Sequence, residues 1–266
     1  MCIRDRHKIM FEIFPIRALS DNYVWTLVKE EQAVVVDPGE AKPVLETLDK
    51  LQLELKSIVI THHHYDHTGG IEELKNRFDC EVLGPSGGHI KGINCPLSDN
   101  EEFEILGKKF IALATPGHTM DQLAYFSDEA YPKPILFCGD TLFSAGCGRV
   151  FEGTHLQMYN SLLRFTTLPL NTKVFCGHEY TQSNLAFALV VEPENQFIKE
   201  KIEEVNKLRE LDKETLPSDI ASELKINPFL RCNEKTVVDA AINYSGNEIN
   251  EPYKVFGAIR DWKDNF

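Results

Sequence analysis

The sequence predicts an α/β fold with a smaller, mostly helical region toward the C-terminal end. Between residues 10 and 180, short apolar runs alternate with segments that have helical spacing. After Tyr180 the composition shifts to longer segments that are charged and helical in spacing. The 266 residues are 42% hydrophobic and 26% charged, which is enough to bury one large core or one large and one small core.

Strands are predicted in the first region where β-branched and aromatic residues cluster between turn residues. The predicted strands cover residues 11–16, 23–28, 33–37, 57–61, 81–83, 103–105, 109–114, 123–126, 135–138 and 174–176. Apolar residues recur at helical spacing over 43–53 and 71–78, which predicts two helices between the strands.

The second region is predicted to be a helical domain. Helical spacing runs from 185 to 211, and Pro217 follows as a breaker. Ser218 is predicted to cap the helix that comes next. We therefore expect one domain over residues 10–180 and a second over residues 181–266.

Residues 1–9 match neither region. They are basic and irregular, whereas a clean strand pattern begins directly after them. We predict that residues 1–9 are a non-native or disordered leader, with a short basic targeting segment as the alternative.

The charge and the apolar runs argue against two function classes. A formal net charge of −13 disfavours a nucleic-acid-binding groove. The longest apolar runs, 33–36 and 186–191, are far shorter than the roughly 20 residues of a bilayer span, so no membrane association is expected. Seven cysteines without a CxxC pair predict reduced thiols and a cytoplasmic protein. A monomer is expected by default.

Residues 62–67, His-His-His-Tyr-Asp-His, carry the strongest functional signal, since they directly follow a predicted strand. Imidazole is the commonest metal ligand, and a neighbouring carboxylate suits a hard or borderline cation. In extended backbone, residues two apart point to the same side, so His62 and His64 are predicted to share one metal. Asp66 and His67 lie where the chain must turn and are predicted to face a second metal.

Three later strand ends also carry a ligand-type side chain beside glycine: His118, Asp140 and His178. Tight turns explain the glycines, but they do not explain a His or Asp at each turn. The predicted ligands of one metal are His62, His64 and His118, and those of the other are Asp66, His67 and His178. Asp140 has two carboxylate oxygens and is predicted to bridge both metals. Two cations that share one water would lower its pKa toward neutrality, which suits hydrolysis.

The segment from Thr61 to His67 resembles the signature of the metallo-β-lactamase superfamily. From about Met10 to the last residue, the chain more narrowly resembles the glyoxalase II family. The segments that carry this narrower resemblance are 21–23, 115–119, 137–143, 146–149, 151–154, 177–180 and 227–231. The resemblance implies a four-layer αββα sandwich that carries the metals and a helical domain that covers the substrate.

The resemblance also implies a thioester hydrolase that converts S-D-lactoylglutathione to D-lactate and glutathione, the second step of methylglyoxal detoxification. In the family, hydroxide bound to two metals attacks the thioester carbonyl, so Asp66 and Asp140 are expected to be catalytic as well as ligands. Two divalent ions are expected per chain, with zinc first and iron or manganese as alternatives. A thiolate of pKa roughly 8.5 can leave without a dedicated acid.

The expected partner is a small-molecule glutathione thioester. The family's glutathione contacts fall on Arg149, Phe151, Tyr180, Arg260 and Lys263. Arg260 and Lys263 are three residues apart, so they share one face if that segment is helical. Phe151 stands where many members have Tyr, and a hydroxyl contact is expected to be lost there.

Three histidines and one departure from the family lie outside the predicted site. His63 faces away from its neighbours in an extended strand and is assigned no metal. His89 and His155 are expected on loops or at the surface. Asp121-Gln122 replaces a Gly-His pair often seen in the family, but neither position is a predicted ligand, so the metal site is expected to survive.

The sequence leaves two alternative functions open. A glutathione persulfide dioxygenase with a single iron would use the same superfamily scaffold, although the helical extension containing residues 227–231 disfavours it. A non-catalytic metal-binding or interaction protein is disfavoured because every expected ligand is present.

Overall fold

The computed structural model describes residues 11–129 and 132–266, so the predicted leader over residues 1–9 lies outside the described residues. Two six-stranded sheets form its centre. The strands are β1 (Glu12–Ala18), β2 (Asn22–Lys29), β3 (Gln32–Val36), β4 (Glu54–Val59), β5 (Glu81–Pro85), β6 (Cys95–Leu97), β7 (Glu102–Ile105), β8 (Lys108–Ala114), β9 (Leu123–Ser127), β10 (Ile135–Gly139), β11 (Leu142–Phe143), β12 (Gly146–Cys147), β13 (Lys173–Cys176) and β14 (Ser218–Asp219). The first sheet has the order β1-β2-β3-β4-β5-β6 and the second β14-β13-β10-β9-β8-β7, while β11 and β12 form a separate hairpin.

Helices lie between the strands of the first sheet and dominate the C-terminal region. They are α1 (Ala41–Leu51), α2 (Tyr65–Thr68), α3 (Ile71–Arg77), α4 (His155–Thr166), α5 (Thr181–Val191), α6 (Gln196–Glu210), α7 (Ile220–Ile226), α8 (Lys235–Ser245) and α9 (Pro252–Asp264), with a 3₁₀ turn at Pro228–Leu230. His155 therefore begins a helix and does not lie in a loop. No helix within the described ranges is long and apolar enough to cross a bilayer.

Parallel pairing in the first sheet places the start of the predicted metal motif. Strands β3 to β6 pair in parallel, and parallel neighbours need crossover connections. Helices α1 and α3 supply two of them and cover one face of the sheet through Val44, Leu48 and Leu74. The carboxyl ends of β3 and β4 consequently meet at one edge, and residues 62–67 follow β4 there.

The two sheets pack over a shared core rich in aromatic side chains. Trp25 from the first sheet belongs to one buried cluster with Phe110, Phe137 and Phe175 from the second. The Trp25 and Phe175 rings meet edge-on with centroids 4.8 Å apart, and Trp25 Nε1 donates to the Cys176 carbonyl at 2.8 Å. Burying each such side chain contributes roughly 1.5–3 kcal/mol. This sheet-on-sheet core with helices around it confirms the predicted α/β class.

The C-terminal region is helical, as predicted, and it also adds to the second sheet. Strand β14 pairs with β13, and Phe187, Phe229 and Phe256 belong to the same buried cluster as the inter-sheet core. The stretch of helical spacing over 185–211 is divided into α5 and α6 around Pro193, which has no N–H to continue a helix. The division into domains at residue 180 stays a prediction.

Helix α7 is capped one residue later than predicted. Asp219 accepts a hydrogen bond from the Ser222 N–H at 2.9 Å and is the N-cap. Ser218 lies one residue before the cap, where it pairs with Val174 in the sheet and its hydroxyl donates to Glu223.

Candidate metal centre and substrate pocket

The segment after β4 is anchored by the turn that follows β3. Asp37, in that turn, accepts hydrogen bonds from the backbone N–H and the hydroxyl of Thr61, both at 2.7 Å. A Cβ placed on Gly39 would lie 1.8 Å from the carbonyl oxygen of Asp66, so glycine is required for this close approach. These contacts fix the backbone from which the motif side chains project.

Three predicted ligands converge on one point: His62, His64 and His118. Strand β4 ends at Val59, so His62 and His64 meet from the loop after the strand and not from extended strand as predicted. His64 Nδ1 is 3.1 Å from both His62 Nε2 and His118 Nε2. Two nitrogens that each lie about 2.0–2.1 Å from a tetrahedral zinc ion are about 3.3 Å apart. This spacing suits three imidazole ligands of one metal.

Asp66, His67 and His178 form a second group, with one ligand atom of each within 4.8 Å of the others. Asp66 Oδ2 is 3.4 Å from Nε2 of both His67 and His178. Asp140 lies between the two groups, because its Oδ2 is 3.5 Å from His118 Nε2 and 3.3 Å from His178 Nε2. The structure thus brings every predicted metal ligand into one cluster.

Hydrogen bonds hold the far side of four imidazoles. The four bonds are His62 Nδ1 to Thr61 Oγ1 (3.0 Å), His67 Nδ1 to Asp37 Oδ2 (3.0 Å), His118 Nδ1 to the Arg149 carbonyl (2.9 Å) and His178 Nδ1 to Asp21 Oδ1 (2.7 Å). Thr61 already donates its proton to Asp37, so it accepts from His62. Each Nδ1 therefore carries a proton, and each Nε2 points toward the cluster, where it can offer a lone pair to a metal, as metal-binding histidines require.

Burial favours the neutral, metal-binding form of the imidazoles in the first group. Burial, reinforced by the charge of neighbouring His67, holds the pKa of His62 well below its ordinary value. Burial also lowers the pKa of His64 and of His118. Their nitrogens are therefore available as ligands at neutral pH.

Carboxylates dominate the second group. Burial opposes ionisation of Asp140, but the imidazoles of His67 and His178 outweigh it and hold the pKa of Asp140 well below its usual range. Burial likewise opposes protonation of His178, but Asp140 and then Asp66 raise its pKa to about 10. The second group thus stabilises an added positive charge. A divalent cation bound there would neutralise the same carboxylates that stabilise the protonated His178.

Two buried polar atoms at the centre of the cluster test whether a metal fits. His67 Nε2 and Asp140 Oδ1 have no hydrogen-bond partner within residues 11–129 and 132–266, although they lie only 3.4 Å apart. Leaving such a group unsatisfied costs about 1–3 kcal/mol. A cation bound between them would satisfy both, so the residues present fit a divalent metal centre.

Asp21, Asn22 and Asp37 hold the cluster in place, and sequence reasoning did not assign them to the site. Asn22 Nδ2 donates to Asp66 Oδ2 at 3.1 Å. The backbone of Asn22 also forms an isolated antiparallel β-bridge with that of His178. The usable sequence signal was an aspartate at the end of a predicted strand. Because β3 and β4 pair in parallel, their carboxyl ends meet at one edge.

A cavity of about 480 Å³ opens beside the cluster. Its lining includes all predicted glutathione contacts: Arg149, Phe151, Tyr180, Arg260 and Lys263. The Tyr180 ring stacks on His178 with centroids 4.7 Å apart. Phe151 is exposed, and its ring lies 5.3 Å from the His118 ring, so it forms an apolar wall beside the metal ligands.

Three cations also line this cavity: Arg149, Arg260 and Lys263. Arg260 is buried, and it donates to the Cys147 carbonyl at 2.8 Å and to Asp264 at 2.9 Å. Arg149 Nε lies 3.2 Å from the same Asp264 carboxylate. Burial and the charge of Arg260 lower the pKa of Lys263 to about 8. An acidic protein thus presents a cationic corner, which suits an anionic ligand.

Comparisons with known proteins agree with this geometry. The family model described as "Metallo-beta-lactamase superfamily" matches residues 20–178, and the model described as "Hydroxyacylglutathione hydrolase C-terminus" matches residues 179–266. A relative from Pseudomonas paraeruginosa (strain DSM 24068 / PA7), named "Hydroxyacylglutathione hydrolase", is 48% identical over 260 residues, which cover 97% of this chain and 100% of the relative. The chain belongs to the hydroxyacylglutathione hydrolase family.

The fold of this hydroxyacylglutathione hydrolase family member is similar to those of solved structures. ETHE1 from Myxococcus xanthus aligns with a TM-score of 0.63 and 25% identity over 96% of this chain and 98% of its own. TTHA1623, solved in a di-iron-bound form, aligns with a TM-score of 0.52 and 26% identity over 62% of this chain and 91% of its own. The predicted family and its metallo-β-lactamase-like sandwich are confirmed, and the His/Asp cluster is that of a divalent-metal-binding protein.

Proposed function

We propose that this chain is a metal-dependent thioester hydrolase that cleaves S-D-lactoylglutathione to D-lactate and glutathione. The observation that carries the proposal is one cavity lined both by residues of the His/Asp cluster and by three cations. Membership of the hydroxyacylglutathione hydrolase family supports the same reaction.

The proposal assigns two metal ions to the cluster, with zinc as the first choice and iron or manganese as alternatives. The proposed ligands are His62, His64 and His118 for one ion, Asp66, His67 and His178 for the other, and Asp140 for both. The di-iron form of TTHA1623 supports a pair of ions. Bound there, the ions would supply an activated water and a Lewis acid for the thioester carbonyl.

The chain's own residues orient the reactants. Burial opposes ionisation of Asp66, but His178 and His67 outweigh it and hold its pKa well below the usual range, so Asp66 stays a carboxylate. Asp66 lines the cavity and can accept a hydrogen bond from the attacking water. The glutathione thiolate, with a pKa of roughly 8.5, departs without a proton from the protein, so no general acid is required.

The cationic corner would recognise glutathione, which carries two carboxylates. Arg149, Arg260 and Lys263 can each donate a charge-assisted hydrogen bond to them. The Tyr180 hydroxyl adds a neutral donor, while Phe151 contributes only an apolar face. Substrate choice on this proposal depends on the cationic corner and not on the metals.

The test is turnover of S-D-lactoylglutathione by purified protein loaded in turn with zinc, iron and manganese. We expect hydrolysis with at least one metal, strong loss in His64→Ala, and retention in His155→Ala, which alters a histidine outside the cavity lining. Failure of all three loaded forms to hydrolyse the thioester, with metal content confirmed by mass spectrometry, would overturn the proposal.

The persulfide dioxygenase alternative has less support. The C-terminal family match over residues 179–266 and the presence of a second ligand group both favour the hydrolase. The alternative requires one iron per chain and consumption of oxygen with glutathione persulfide. An oxygen electrode measurement on the iron-loaded protein distinguishes the two.

We also propose that the protein is cytoplasmic and monomeric. Within the described ranges six cysteines are free of disulfides, as expected in a reducing compartment. Light scattering of the purified protein would test the monomer, and a dimer mass would contradict it.

A further inference from the structure

His63, His89 and Asp121 form a third group of ligand-type side chains outside the metal cluster. One ligand atom of each lies within 4.8 Å of the others. They come from the metal motif, the connection between β5 and β6, and the connection before β9. None of them lines the cavity beside the cluster, so the proposed hydrolysis makes no use of them.

Asp121 is the centre of this group. Its Oδ1 lies 2.9 Å from His63 Nδ1 and its Oδ2 lies 2.8 Å from His89 Nε2. The Asp121 side chain is only 8% exposed, whereas the His63 and His89 side chains are 31% and 46% exposed. A largely buried carboxylate therefore faces two imidazoles that solvent can reach.

His63 lies between two carboxylates. Its Nδ1 faces Asp121, and its Nε2 is 3.3 Å from Glu152 Oε1. Glu152 is held in place because its other oxygen accepts from the Met120 N–H at 2.7 Å. A neutral imidazole has one N–H, so it can donate to only one carboxylate and must turn a lone pair toward the other. With the N–H of His63 directed at Glu152, the lone pair of Nδ1 faces Asp121 and is available to a cation.

We propose that His63, His89 and Asp121 bind a divalent cation of the zinc type. Two imidazoles and a carboxylate are a donor set that zinc accepts, and three protein ligands leave a position for water or a fourth ligand. The ion would tie the connection between β5 and β6 to the metal motif.

The test counts zinc ions bound by the full chain. Wild type and variants are dialysed to equilibrium over a range of free Zn²⁺, and bound zinc is measured by mass spectrometry. We expect His89→Ala and Asp121→Asn each to bind one ion fewer per chain than wild type at saturation. His155→Ala, which alters another partly exposed histidine, should bind as many ions as wild type.

The difference between variants separates this site from the proposed catalytic metals. Failure of the catalytic cluster to bind zinc would lower all four proteins equally and leave the one-ion difference intact. His89 is half exposed, so His89→Ala provides the answer even if Asp121→Asn folds poorly. Equal zinc counts in wild type and His89→Ala across the whole range would show that these residues form only histidine–carboxylate pairs, and the proposal would be wrong.

Discussion

At the scale of single residues, hydrogen bonds behind the imidazoles decide which nitrogen faces the cavity. Asp37 is the most connected of these partners, since it binds both Thr61 and His67. Its Oδ2 accepts from the Thr61 hydroxyl and from His67 Nδ1. A carboxylate can accept both bonds, whereas an amide nitrogen at the same place could accept neither.

We therefore predict that Asp37→Asn weakens metal binding by the second group by about 10–100-fold, the usual effect of losing such a partner. The reason is that the His67 ring would lose the acceptor that fixes its orientation. Competition with a chelator, followed by metal analysis, measures the effect. Asp49→Asn is the control, because Asp49 is exposed, lies outside the cluster and forms an ion pair with Arg77. Equal metal retention by both variants would contradict this role of Asp37.

Lys263 gives a prediction for pH dependence. Its pKa is lowered to about 8, chiefly by burial and then by Arg260, so it is protonated below pH 8 and neutral above. Only the protonated amine can pair with a glutathione carboxylate. We predict that kcat/KM for the glutathione thioester falls as the pH rises through about 8 and that Lys263→Ala lacks this falling limb. The same alkaline limb in both proteins would assign the ionisation elsewhere.

The predicted ligands were visible in the sequence because each is a His or Asp beside a turn. Their supporting residues were not, because the contacts cross long stretches of chain. Asp21 is 157 residues from His178, and Asp37 is 30 residues from His67. In the sequence, an aspartate in a turn is explained by the turn alone. Its contact with a distant histidine is visible only in the folded sheet.

At the scale of elements, Glu223 in α7 connects the C-terminal region to the β11–β12 hairpin beside the site. Its buried carboxylate accepts from the Ser144 hydroxyl at 3.0 Å, the Ala145 N–H at 2.8 Å and Asn227 Nδ2 at 3.1 Å. Burial raises the pKa of Glu223 even with these donors present. Removing the carboxylate would leave several buried donors without partners.

We predict that Glu223→Ala lowers the free energy of unfolding by about 3 kcal/mol, since each abandoned donor costs about 1–3 kcal/mol and the site relaxes in part. Urea unfolding followed by circular dichroism measures it. Glu203→Ala, an exposed position on α6, should stay within about 0.5 kcal/mol of wild type. A similar small change in both variants would mean that the hairpin does not depend on Glu223.

Many element positions followed from hydrophobic periodicity, although α4 and β6 were not predicted, and element ends depended on tertiary contacts. The division between α5 and α6 was signalled by Pro193, which the helical spacing on both sides obscured. The cap of α7 is Asp219 and not Ser218, because the helix begins at Ile220, directly after the two-residue strand β14. No local pattern announces a two-residue strand from a helical region.

At the scale of the whole molecule, the two regions contribute different parts of one cavity. The sandwich supplies the metal-ligand cluster, while α9 supplies Arg260 and Lys263. The shared apolar core and Glu223 hold these parts together. Chemistry and substrate choice should therefore be separable by mutation, since the cations are not among the proposed metal ligands.

One comparison tests this division most directly. The kcat/KM values for S-D-lactoylglutathione and for a simple thioester without the glutathione moiety are measured with wild type and Lys263→Ala. We predict that wild type strongly prefers the glutathione thioester and that Lys263→Ala loses roughly 10–100-fold of that preference, as expected for a charge-assisted hydrogen bond, with little change for the simple thioester. An unchanged ratio of the two substrates in Lys263→Ala would contradict the assignment of glutathione recognition to the cationic corner.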